Sequence, residues 1–92
     1  MAWSEDIKRK VWELATPSKD PKWKKDPCGA WIFWEYFGIT SDYGWVIDHI
    51  IPISNVGTNK PYILRPVHWE NNLSKEDGIL VCLVSSGKFL KK

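Results

Sequence analysis

The chain has 92 residues, 13 Lys and Arg against 11 Asp and Glu, and a formal net charge of +2. That length is one small domain, 1–92, with little apolar material to spare. Hydrophobic residues at 43% and charged residues at 26% place it among ordinary globular proteins, and no apolar run reaches the ~18 residues of a membrane span. Yet 14% of it is aromatic, with seven Trp, more indole than so small a core needs.

The first residues lack the basic-then-apolar pattern of a signal peptide. Ser4 is a good N-cap, Glu5 and Asp6 suit the positive end of a helix, and Ile7, Val11, Leu14 and Ala15 recur at helical spacing. These predict a helix over 4–15, stopped by Pro17. Lys8, Arg9 and Lys10 fall early in it, against the dipole preference.

Residues 17–27 read as a proline-punctuated basic loop with Trp23 among Lys22, Lys24 and Lys25. Trp23 either packs on the core with the lysines splayed into water or belongs to a loop that contacts phosphate. Residues 29–37 suit a strand or a short buried helix, closed by Gly38. Asp42-Tyr43-Gly44 is a turn signal, and 45–51 read as a strand stopped by Pro52. A polar loop at 53–61 leads to a return strand at 62–65. Pro66 then suits the first turn of a helix over about 66–75, and 79–84 read as a last strand.

Charge is unevenly spread. Residues 1–25 carry net +3, residues 26–77 net −4, and residues 78–92 net +3. Basic ends around an acidic centre suit a site that handles a phosphate polymer through a cation, although solubilising charge alone would also give this pattern. Cys28 and Cys82 are far apart and neither belongs to a Cys-x-x-Cys pair. The expectation is two buried free thiols in a reducing cytoplasm, with a Cys28–Cys82 disulfide as the alternative.

The unit at 45–75 concentrates polar chemistry. It puts Asp48-His49 at a strand end and Asn72 on the following helix. A carboxylate and an amide oxygen suit a hard cation, and an imidazole kept off the cation can take a proton from water. Neighbours on a regular strand point to opposite faces, so Asp48 and His49 share a site only if the strand twists or ends there. Alternatively Asp48 and His49 bond each other and Asn72 ends a helix.

The strings Gly44-Trp45-Val46-Ile47-Asp48-His49-Ile50-Ile51-Pro52 and Leu64-Arg65-Pro66-Val67-His68-Trp69-Glu70-Asn71-Asn72-Leu73-Ser74-Lys75 resemble the HNH endonucleases. Cys28-Gly29-Ala30-Trp31 and the segment after the helix resemble small stand-alone members from bacteria and phages. The resemblance implies an α+β fold: a ββα-metal (His-Me finger) core at 45–75, with an N-terminal helix and flanking strands. It implies a DNA phosphodiester hydrolase with His49 as general base. One divalent cation, Mg2+ or else Mn2+, would be held by Asp48 and Asn72. His68, Asn59 and Lys75 are supporting candidates, and Lys22, Trp23, Lys24, Lys25 and Arg65 are candidates for the DNA backbone. The implied partner is double-stranded DNA read with low sequence specificity, with a partner protein or a homodimer as further possibilities; no membrane is implied, and the setting is cytoplasmic.

The sequence departs from the family in one place. The central Asn of the motif is replaced by Ile63, which lacks the side-chain hydrogen bonds that brace the loop. Asn59 or Asn55 could substitute. Otherwise the finger is slow, or it binds nucleic acid without cutting. An Ile63→Asn change is expected to raise activity if the brace is missing. Zinc-containing relatives carry Cys-x-x-Cys where His68 and Asn71 stand, so no structural zinc is expected. His68 is then an active-site group or a residue packed near Trp69, and Asn71 a solvent-facing or capping neighbour of Asn72. Six indoles are expected mostly buried, leaving Trp23 outward.

Overall fold

A computed structural model describes residues 3–50 and 63–85. It is a small mixed α+β fold with two antiparallel sheets and two α-helices among those residues. The expected loop at 53–61, with Asn55 and Asn59, lies outside them.

Helix α1 covers Glu5–Trp12 and is capped as expected, with Ile7 N donating to Ser4 Oγ at 3.1 Å. It is shorter than the apolar pattern suggested. Leu14 N and Ala15 N bond three residues back, to Val11 O and Trp12 O, and this tighter winding ends the helix. Arg9 and Lys10 therefore lie in its last turn, where the dipole favours cations. Arg9 also lies 4.1 Å from the Trp34 ring centre, so this charge serves packing.

The segment read as a basic loop carries two short strands. Strands β1 (Thr16–Pro17), β2 (Trp23–Lys25) and β3 (Trp31–Phe33) form a sheet in that order. Pro17 sits on its edge strand, where a missing N–H costs least. A short 3-10 turn at Trp34–Tyr36 follows. Gly44 then passes so close to Ile39 that a Cβ there would lie 1.6 Å from the Ile39 carbonyl oxygen.

Strand β4 (Trp45–His49) pairs antiparallel with β5 (Leu64–His68), and helix α2 (Trp69–Leu73) follows at once. Pro66 was expected to open a helix. Instead it pairs with Ile47 inside β5, tolerated because each strand of a two-stranded sheet has a free edge. The helix starts three residues later, capped by the His68 ring. The strand expected at 79–84 does not form; only a bridge between Glu76 and Ile79 is regular there.

Val11, Trp12, Ala15, Ile32, Trp45, Ile47, Ile63 and Leu64 make the core. Trp12, Trp34 and Trp45 meet with ring centres 5.0–6.0 Å apart. Of the six indoles expected inside, only Trp12 and Trp45 are fully buried, and Trp3, Trp31, Trp34 and Trp69 are half-buried. Cys28 and Cys82 are not free thiols: they form a disulfide, their Cα atoms 5.5 Å apart. No helix among the described residues is long and apolar enough to cross a membrane.

Candidate functional site

Asp48 is 6% exposed and is the cross-strand partner of Arg65. Arg65 Nε donates to its Oδ2 at 2.8 Å, and Lys75 Nζ donates to its Oδ1 at 2.6 Å. Both carboxylate oxygens thus carry a cationic donor, and the guanidinium and ammonium are themselves about four-fifths covered. Lys75 reaches this point because α2 packs against β4 and ends two residues earlier.

His49 pairs with Leu64, so β4 is regular through it. Alternation along the strand sends its side chain away from the Asp48 side. Its ring centre lies 5.9 Å from that of Trp3. Asn72 is half-buried on α2, and its amide makes no hydrogen bond among the described residues. The structure therefore unites Asp48, Arg65 and Lys75, and places His49 on the opposite side of the strand.

His68 is fully buried and stacks on Trp69 at 6.1 Å and 21°. Its Nδ1 accepts from Glu70 N at 3.1 Å, so Nε2 carries the proton and donates to Asp42 O at 2.7 Å. Both ring nitrogens are engaged by backbone. Lys24 is also turned inward, 7% exposed, with Glu13 at 3.6 Å and the Trp12 ring at 5.7 Å. Lys22 and Lys25 remain outward. Glu35 holds the Lys22 ammonium above its usual pKa, first through a hydrogen bond and then through its charge.

A second polar centre was not legible as such. Asp26 is 2% exposed and accepts four hydrogen bonds: from Cys28 N and Ala30 N on Oδ1, and from His68 N and Asn71 Nδ2 on Oδ2. Asn71, expected as a solvent-facing or capping neighbour of Asn72, is fully buried. Its Oδ1 accepts from Leu83 N and Val84 N, and its Nδ2 also donates to Val84 O. With the disulfide beside it, this knot ties the 26–30 turn, the start of α2 and the 81–84 segment together. The only sequence hint was Asp26-Pro27 before Cys28-Gly29, an Asx-type turn signal.

No group of three or more His, Cys, Asp or Glu side chains placed to hold a metal ion exists among the described residues. Around Asp48 the partners the structure shows are the cations Arg65 and Lys75, not a second ligand. No protein-family model, curated protein or solved structure matches the chain.

Proposed function

We propose that the protein is a metal-dependent DNA phosphodiester hydrolase of HNH type, with β4, β5 and α2 as its ββα-metal finger. One observation carries this reading. Asp48 and Lys75, 27 residues apart, meet at 2.6 Å, so the two separated strings of the resemblance converge on one buried carboxylate. The donor chemistry fits a small hard cation: a carboxylate on β4 and, on the helix packed against it, an amide with no partner among the described residues. Asp48 and Asn72 would hold that ion, Mg2+ or Mn2+, which supplies Lewis-acid stabilisation of charge on the scissile phosphate.

The chain's own groups have distinct tasks. Asp48 Oδ1 accepts from the Lys75 ammonium, so a divalent ion held there would compete with that ammonium. Displaced from Oδ1, Lys75 would be free to meet the phosphate backbone, while Arg65 keeps Oδ2 oriented. His49 would receive the proton of the attacking water, but its side chain leaves β4 on the face opposite Asp48, which weighs against that role. The substrate is double-stranded DNA met mostly through phosphate, with low sequence specificity. A partner protein or a homodimer would supply selectivity. The proposed setting is the cytoplasm, against which the Cys28–Cys82 disulfide weighs.

A second reading has its own support. Both oxygens of Asp48 are taken by protein cations, and Ile63 replaces the bracing Asn, which favours binding without cutting. Supercoiled plasmid with Mg2+ or Mn2+, beside His49→Ala, separates the two. Nicking by the wild type alone supports the enzyme; equal, metal-independent retardation without nicking overturns it.

A further inference from the structure

The first sheet has two unlike faces. On β2, Trp23 and Lys25 flank buried Lys24; on β3, Trp31 and Phe33 flank buried Ile32. Side chains alternate along a strand, so Trp23, Lys25, Trp31 and Phe33 share the face turned away from the core. Trp31, expected inside, therefore stands outside beside Trp23.

These rings make a built surface. Trp23 and Trp31 meet at 81° with centres 6.4 Å apart, forming a corner. Phe33 lies 4.6 Å from Trp23, and Tyr43 stands edge-on to it at 4.9 Å. The corner opens into a cleft of about 460 Å3 lined by Ser18, Lys19, Asp20, Trp23, Trp31 and Tyr43. A planar ring could lie flat on one indole with its edge against the other.

The charges around the cleft select the partner. Lys25 Nζ sits 4.8 Å above Trp31, and neither Lys25 nor Lys19 forms an ion pair among the described residues. Of the acids nearby, Glu35 binds the Lys22 ammonium, and Asp20, which accepts from Lys22 N, is the one carboxylate on the cleft lining. Aromatic faces bordered by available cations suit a chain of bases joined by phosphates.

We propose that this outer face of β2 and β3 binds single-stranded nucleic acid, bases stacking on Trp31 and Trp23 and phosphates meeting Lys19 and Lys25. It deepens the proposed function and rests on it for nucleic acid as the partner, here a single strand beside the duplex substrate, but it needs neither metal nor cutting.

Fluorescence anisotropy with labelled dT12 in EDTA tests it. Trp31→Ala and Trp23→Ala should each weaken binding about 5- to 150-fold, and Trp31→Phe should retain most of the affinity. Because Trp23→Ala could disturb folding, Lys19→Glu and Lys25→Glu provide the second arm. Each should weaken binding and lower the slope of log affinity against log salt by about 0.7. No binding of dT12, binding undiminished by Trp31→Ala and Lys25→Glu, or preferential binding of a neutral oligosaccharide such as cellohexaose overturns the proposal. The plasmid assay keeps the two readings apart. Nicking without dT12 binding leaves the nuclease standing and removes this surface; dT12 binding in EDTA without nicking does the reverse.

Discussion

The Asn71 side chain pairs with the Val84 backbone as a neighbouring strand would. Its Oδ1 accepts from Val84 N at 2.9 Å and its Nδ2 donates to Val84 O at 3.0 Å. The same Nδ2 lies 3.1 Å from Asp26 Oδ2. Asn71→Asp keeps the shape but removes the donor and sets two carboxylates together in a buried place. It should cost about 3 kcal/mol or more in urea denaturation. Asn71→Asp as stable as the wild type would show that the amide is not what fixes the 81–84 segment.

Asp26→Ala is the complementary change. It removes the acceptor of three backbone N–H groups and one of the two acceptors of the Asn71 amide. Each buried orphan costs about 1–3 kcal/mol. Relief by water at the more open Cys28 end lowers the sum, but a loss near 4 kcal/mol would remove much of the stability of so small a domain. The expected result is a shifted urea midpoint with an unchanged far-ultraviolet spectrum at low denaturant. A midpoint within error of wild type would contradict the four-bond role.

The disulfide closes a loop with a sequence separation of 54, for which loop-closure entropy gives about 4 kcal/mol. The Asp26–Asn71 knot clamps the same two segments without covalent help, so the reduced protein should still fold, with a lower melting temperature. Melting curves with and without dithiothreitol, and of Cys28→Ser with Cys82→Ser, measure this. An unchanged melting temperature would show that the pair adds no constraint in solution.

Much of this was legible in the sequence where the signal was local. Ser4 capped the helix it was expected to cap, and the Asp42–Gly44 turn leads into a strand that starts at Trp45 as read. Pro66 misled because a local preference for a helix start yielded to pairing with Ile47. The knot was not legible because Asp26 and Asn71 are 45 residues apart, and no local pattern marks a long-range partner. The cysteines were read from the expected redox setting, whereas the fold brings them within bonding distance. Trp31 was expected inside as cover for a thin core; a three-residue strand with Ile32 inward turns it to the other face. Of the site, Asp48 and Lys75 meet, while the regularity of β4 through His49 was the objection foreseen and is what the strand displays.

Ile63 changes meaning once its place is known. It is 5% exposed, lies in the core with Leu64 and Trp45, and its carbonyl accepts from Ile50 N at 2.8 Å. Putting Asn there buries an amide among apolar side chains and should cost about 2–4 kcal/mol. Stability should fall before any gain in activity appears. Urea denaturation and plasmid nicking on the same preparation decide between these effects. An Ile63→Asn protein with wild-type stability and faster nicking would show that the position accepts the bracing residue after all.

Lys75→Met tests the cation exchange at Asp48. The ammonium donates to Oδ1 at 2.6 Å, and a charge-assisted bond of this kind contributes about 2 kcal/mol. Without metal, the variant should lose roughly that much stability, because a buried carboxylate is left with Arg65 alone. With metal, the competitor is gone, so Mn2+ affinity should rise roughly tenfold or more. Electron paramagnetic resonance of free Mn2+ reads the affinity directly, with Asp48→Asn as the variant that should abolish binding. Nicking should not rise in parallel, since the same lysine is proposed to meet the phosphate backbone once displaced. Mn2+ affinity equal in wild type and Lys75→Met, or binding that survives Asp48→Asn, would show that no ion exchanges with Lys75 at this carboxylate.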